Sequence, residues 1–313
     1  MPRRPPTIPP HAPGPVVSPA VGPDADLARR AWLQRSAASA LSAATLGTGL
    51  WPLHPARAAP GGLPSNVGHG DSSPQWEQLR ERLFGHQRLH VGSPGLVQLS
   101  VPLRAAYGAS VPVKISSHLP QTPERHVRRL TLLVDKNPSP VAAVLTLTPE
   151  LGQADFETRL RVDEYSHIRV VSELSDGSLH LDSRYVKVSG GCSAPPNRDA
   201  PQLIGRTSFR LPAGLHADGP TPAEVTVLHP NDTGFELNQV TLMFIPPHFV
   251  RSLRVSRGEA LLFDADLDFS ISENPTWRFH FLHRPGERLG AEVLDTREQH
   301  FSARFDPATG QAS

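Results

Sequence analysis

"HIRVVSELSDGSLHLDSRYVKVSGGC", residues 167–192, decides the fold. Ile168 and Val170 on one side of Asp176-Gly177, and Leu179 and Leu181 on the other, recur at every second position. That is the period of strands with one buried face. Asp-Gly suits a tight hairpin turn, whose central residues take positive φ. The stretch therefore predicts two antiparallel strands. It then runs into Gly190, Gly191 and Cys192, the only cysteine in the chain, followed by "SAPPNRDAPQ" with three prolines. Residues 190–203 have no periodicity and read as a linker between two blocks.

Outward from the hairpin the period of two persists. Val97/Leu99/Val101/Leu103, Val111/Val113/Ile115, Leu130/Leu132/Val134, Ala143/Leu145/Leu147 and Phe156/Thr158/Leu160/Val162 all alternate. With the hairpin this makes about seven short strands in roughly 100 residues, the pattern of an immunoglobulin-like sandwich. A second block repeats the texture in "TSFRL", "AEVTVLH", "QVTLMFI", "VRSLRVSRGEALLFDAD", "WRFHFLH", "GAEVLDT" and "HFSARF", with a turn at Arg257-Gly258. Asn-Pro stands beside strand-like runs in both blocks, in "DKNPSP" (135–140) and "SENPTW" (272–277). One helix is predicted over Ser73–Gly85: Ser73 can cap it, Pro74 suits its first turn, and Trp76, Leu79, Leu83 and Phe84 share a face. The expected fold is all-β, two tandem immunoglobulin-like sandwiches at 73–189 and 204–306, with a short N-terminal helix and a tail at 307–313.

The 34 prolines, with 6% aromatic and 19% charged residues in 313, fit short strands and turns better than long helices. A formal charge of +1 with no Lys/Arg run argues against a nucleic-acid partner. The N-terminus differs. Residues 1–28 are Pro/Ala-rich and read as disordered, or as the product of a start codon assigned too far upstream. Arg29-Arg30, an uncharged stretch from Ser36 to Leu53 and the small residues Ala56 and Ala58 then give the pattern of a cleavable twin-arginine export signal, with a linker at 59–72. The uncharged stretch is short and rich in Ala, Ser, Thr and Gly for a bilayer span. Cleavage after Ala58 removes six arginines and two aspartates and changes the formal charge to −3. The mature chain is thus expected in the periplasm with no membrane anchor.

One cysteine in an exported protein cannot form an internal disulfide and points to a reactive thiol or an intermolecular bond. Gly190 and Gly191 free the backbone on its N-terminal side, so Cys192 reads as a thiol presented to solvent. Lys187 and Arg198 are the cations near it in sequence that can favour a thiolate. CxxC, HExxH, GxSxG and Gly-rich phosphate-loop motifs are absent. His86/His90 and His280/His283 are the histidine pairs at short spacing; both read as surface histidines, and the second pair points to opposite faces of a strand. Asp264, Asp266 and Asp268 share a strand face and read as a solvated edge rather than a cation site. No cofactor or metal is expected.

The first block resembles SoxY, the sulfur-substrate carrier subunit of bacterial periplasmic thiosulfate oxidation, through "VPVKISS", "LTLLVDKNPSPVAAVLTLTPE" and "TRLRVDEYSHIRVVSELSDGSLHLDSRYVKVSGGC". The second resembles its partner SoxZ through "LHPNDTG", "IPPHFV" and "ISENP". The fused order is similar to SoxYZ-like carriers associated with quinoprotein dehydrogenases. The resemblance implies a non-catalytic carrier in which Cys192 holds a sulfur compound covalently, with Gly190 and Gly191 matching the glycines before the family's cysteine. It implies periplasmic oxidoreductases as partners, of Sox type or a quinoprotein alcohol dehydrogenase for which the chain would serve as accessory or scaffold. The family's cysteine lies on a terminal Gly-Gly-Cys-Gly-Gly arm, whereas Ser193-Ala194-Pro195-Pro196 and a whole second domain follow Cys192. A loop tethered at both ends reaches a shallower cleft than a free arm does.

Overall fold

Helix α1 (Pro74–Phe84) opens the computed structural model, which describes residues 72–93, 96–216 and 218–312. The expected export signal, with Arg29, Arg30, Ala56 and Ala58, lies outside the described residues. After α1 come β1 (Leu89–Val91), β2 (Val97–Ser100), β3 (Val111–Ser117), β4 (Val127–Val134), β5 (Val141–Leu147), β6 (Phe156–Leu160), β7 (Ser166–Leu174) and β8 (Leu179–Val186). The second half supplies β9 (Thr207–Arg210), β10 (Pro220–Val227), β11 (Val250–Arg257), β12 (Ala260–Leu267), β13 (Thr276–Leu282), β14 (Leu289–Asp295), β15 (His300–Asp306) and β16 (Gln311–Ala312). The end expected as a tail thus turns back at Gly310 to pair as β16 with β15. No helix among the described residues is long and apolar enough to cross a membrane.

Local chemistry accounts for the elements. Ser73 Oγ accepts the Trp76 N–H at 3.1 Å, Pro74 occupies the first turn of α1, and Gly85 ends it at φ 57°. Trp76 and Leu79 bury against Leu133, Val171, Leu179 and Leu181. Leu83, expected on the same face, stays 38% exposed because the helix stops one residue later. The Arg169 guanidinium stacks 4.4 Å from the Trp76 ring and binds the buried Asp135 through Nε and Nη2, at 2.7–3.0 Å. The hairpin of 167–192 forms as β7 and β8, pairing Val171 with Leu181 and Glu173 with Leu179 around Gly177 at φ 82°.

The strands make two sheets, and each sheet contains strands of both halves. Ten strands run β1-β8-β7-β4-β5-β12-β11-β14-β15-β16 and six run β2-β3-β6-β13-β10-β9. β5 pairs antiparallel with β12 over five residue pairs, from Ala143–Leu267 to Leu147–Phe263. β6 meets β13 at Glu157–Arg278, and a bridge joins Leu160 to Ile271. The two sandwiches therefore abut edge to edge. Phe156 of the first half packs edge-on against Phe263 and Trp277 of the second, with ring centroids 5.3 and 6.4 Å apart. One apolar core runs through both halves.

One expected strand is missing. "QVTLMFI" (239–245) lies on a projecting turn closed by Asn238 N–H to Met243 O and Leu242 N–H to Asn238 O, both 2.9 Å. Val240 is 91% exposed and Leu242, Met243 and Phe244 are 65–71% exposed. Among the described residues no sheet faces its apolar side chains, so alternation alone did not make a strand.

Candidate functional site

After β8 the chain enters the seam between the halves. Gly190 N–H donates to Asp163 O at 2.8 Å, Gly191 N–H to Val162 O at 3.0 Å, and Cys192 N–H to Asp163 Oδ1 at 3.4 Å. Arg161 Nη1 donates to the carbonyls of Gly191 and Ala194, each at 3.1 Å, and Thr233 Oγ1 donates to Cys192 O at 2.5 Å. Donors of both halves thus hold the loop from β8 to Ala194. Asn137, in the first Asn-Pro pair, positions this frame: its Nδ2 donates to Arg161 O and Ser270 Oγ, and its Oδ1 accepts the Asp163 N–H. Asn274, in the second, accepts the His229 N–H through Oδ1.

The expected solvent exposure of Cys192 is overturned. The thiol is free but buried, at 1% exposure. The two glycines serve different ends. Gly190 is exposed and sits at φ 74°, a left-handed conformation that L side chains rarely adopt. Gly191 is buried, and a Cβ on it would meet Gly108 O, Val162 O at 2.5 Å and Val162 N at 2.6 Å. It admits the loop to a slot between two backbone segments, so Gly-Gly here sinks the cysteine rather than raising it. Burial, then the nearby Asp163 carboxylate, pushes the Cys192 thiol up to about 12, with Arg161 opposing. In this closed position Cys192 is a neutral thiol with little nucleophilicity.

Nor do the cations near it in sequence attend it. Arg198 is engaged by Asp232 and Glu236. Lys187 is not among the charges that act on the thiol, which are Asp163, Arg161 and Asp268. The cation beside the loop is Arg161, 31 residues earlier, itself 1% exposed. Nothing in its local sequence marks it, because the sheet alone brings β6 under the loop.

The histidine pairs form no site: His280, on β13, and His283, just past its end and edge-on to Phe281, are half-buried rather than at the surface as expected. His86 is exposed beside Glu81, and His90 stacks on His180 at 5.1 Å. Asp264 pairs with Arg254, and Asp268 accepts from Ser139 Oγ. Among the described residues, one trio of ligand-type side chains comes together: His229, His248 and Asp295, all buried. His248 Nε2 is 2.7 Å from Asp295 Oδ2 and 3.2 Å from His229 Nε2, and His229 Nε2 is 3.6 Å from the same oxygen. Those separations resemble the edges of a tetrahedral metal site, but the outer contacts oppose one. A ligating imidazole needs an acceptor at its other nitrogen, whereas His229 Nδ1 accepts the Asn231 N–H at 3.1 Å. The proton of neutral His229 therefore sits on Nε2, which faces His248 Nε2 at 3.2 Å and the carboxylate oxygen at 3.6 Å. Asp295 Oδ1 meanwhile accepts the N–H groups of Arg297 and Gln299 at 2.8 and 2.9 Å. The trio is a hydrogen-bonded strut that fastens the 229–233 segment at the root of the projecting turn. Burial, reinforced by His248, lowers the His229 pKa to about 4.

A pair of abutting β-sandwiches with one thiol at their seam defines the class. The family model of the sulfur oxidation protein SoxY matches residues 80–192 and ends on Cys192; that of the sulphur oxidation protein SoxZ matches 209–306. The chain belongs to these families as a SoxY domain and a SoxZ domain in tandem. Among solved structures it is similar to the sulfur carrier protein SoxY of Chlorobium limicola f. thiosulfatophilum, at 23% identity over 36% of this chain and 91% of that one, TM-score 0.31. It also matches a superoxide reductase (neelaredoxin) of Ignicoccus hospitalis, at 12% identity over 32% and 95%, TM-score 0.29. No curated protein matches the chain.

Proposed function

We propose that the protein is a non-catalytic carrier that binds a sulfur compound covalently through Cys192, in the periplasm after twin-arginine export. The observation that carries this reading is the coincidence of the chain's one cysteine, a free thiol, with the last residue of the SoxY match. In this reading the closed loop is the resting state. Loading requires the loop to leave its slot, after which the thiol regains an ordinary pKa near 8.5. The thiolate then forms a bond to a sulfur atom of the donor, and its proton passes to solvent. Joining it to a reduced sulfur anion such as thiosulfate removes two electrons, which a partner oxidoreductase accepts.

A second reading, an accessory or scaffold for a periplasmic quinoprotein dehydrogenase, draws its support from the projecting apolar turn at Val240–Phe244, a surface suited to a protein contact. The experiment is intact mass of native periplasmic material purified without reductant, beside Cys192→Ser. A reductant-labile sulfur adduct missing from the variant supports the carrier. An unmodified thiol that also resists alkylation in the native state turns the reading to the scaffold.

A further inference from the structure

Arg161 is a buried cation without a counter-ion. Its Nη1 and Nη2 donate to three neutral carbonyls, of Gly191, Ala194 and Asn231, and its Nε has no partner. No carboxylate lies within ion-pair distance of it among the described residues; the largest favourable field at it comes from Glu273. Charges are rarely buried on these terms, because carbonyl dipoles replace lost hydration only in part. The guanidinium faces a cavity of about 470 Å³ whose walls include Tyr107, Arg159, Arg161, Pro195, Pro196 and Glu273. Pro195 and Pro196 belong to the Cys192 loop, and the carbonyls that Arg161 binds lie on either side of the cysteine. Three carboxylates act on this side: Asp163, which accepts from Cys192 N–H; Glu273, whose Oε2 accepts the Asn197 N–H at 2.8 Å; and Asp232, itself paired with Arg198.

We infer that this cavity seats the anionic end of an adduct on Cys192, with Arg161 as the residue that favours negatively charged cargo over neutral cargo. The inference rests on the carrier reading and extends it to the loaded state. The bare thiol is neutral and leaves the guanidinium with only the fields of carboxylates beyond contact, Glu273 and Asp232. An adduct ending in an oxyanion brings a negative charge a few bonds beyond the sulfur and supplies the missing counter-charge. The loaded loop then closes more firmly than the empty one, and a neutral adduct of the same size gains nothing. Arg161 is a positioning residue here: it also holds loop carbonyls, so its test must separate charge from anchoring.

Alkylation supplies a matched pair of adducts. Iodoacetate and iodoacetamide each form an S–C bond with Cys192, releasing iodide with the bonding electron pair and the thiol proton to solvent. One product ends in a carboxylate and the other in an amide of nearly equal size. The full chain, alkylated under native conditions, is compared by thermal unfolding. The carboxymethyl form is expected to melt about 4 °C above the carboxamidomethyl form. In Arg161→Gln the difference disappears, and in Arg161→Lys most of it returns. Loss of anchoring alone lowers both adducts equally and leaves their difference intact. Equal melting temperatures in the wild-type pair overturn the anion seat and leave the carrier standing. Failure of either reagent to reach Cys192 natively, while the denatured chain reacts, overturns the carrier reading and the seat together.

Discussion

The Cys192 loop and the neighbouring turn at Phe235–Phe244 are opposites joined at one residue. The loop is built of glycines, prolines and small residues, yet Gly191, Cys192 and Pro196 are buried and its leading backbone groups are tied to both halves. The turn carries the most exposed large apolar side chains among the described residues. Thr233 connects them: its Oγ1 donates to Cys192 O and accepts the Phe235 N–H at 3.1 Å. The contrast separates two tasks. The one thiol is kept in a slot, and an apolar surface is held out beside it.

The sharpest way to break this contrast is to fill the slot. Gly191→Ala is expected to cost about 3 kcal/mol or more, because its Cβ would meet rigid backbone rather than a movable side chain. Native alkylation of Cys192 should accelerate by at least about 100-fold. Gly190→Ala, with nothing within 4 Å of the added carbon, pays only backbone strain of about 1 kcal/mol. Equal alkylation rates in the two variants would remove the slot as the cause of burial.

Next in size is acid. His229 in the folded chain titrates near 4, against about 6.5 when unfolded, so the unfolded state binds the extra proton between those values. Its neutral, buried state contributes stability that is fully present above pH 6.5 and lost as pH falls toward 4, about 3 kcal/mol in all. Urea unfolding at pH 7.0 and 4.5 measures it, and a flat profile would rule out the strut as drawn. Thr233→Val, nearly isosteric, leaves Cys192 O without that donor. The expected cost is about 2 kcal/mol, read as alkylation roughly 30-fold faster with the overall fold kept. The smallest effect belongs to the turn: Leu242→Ser or Phe244→Ser should change unfolding by under about 0.5 kcal/mol, since neither side chain is packed. A marked loss of stability there would show that the turn is covered and not displayed.

The hairpin at 167–192 was legible because Asp176-Gly177 and a period of two state the same structure, and a sheet satisfied both. What failed was burial. Gly and Pro mark irregular backbone, but whether that backbone faces solvent depends on partners such as Arg161 and Thr233, far away in sequence and on both halves. Conversely, "QVTLMFI" looks buried only if a facing layer exists, and none does among the described residues. The His229–His248–Asp295 strut was equally hidden, its members separated by 19 and 47 residues. Its first two members stand in "LHPNDTG" and "IPPHFV", segments that read as markers of resemblance before their side chains were seen to meet.

The pairing of β5 with β12 has a consequence for how the protein behaves when scarce. The residues that pair across the seam of the SoxY and SoxZ domains belong to one covalent chain, with a shared sheet and Phe156 locked among the aromatics of the other half. Their association is intramolecular and independent of concentration. Extreme dilution does not separate the halves, and each molecule carries the thiol and the projecting turn in a fixed ratio of one to one.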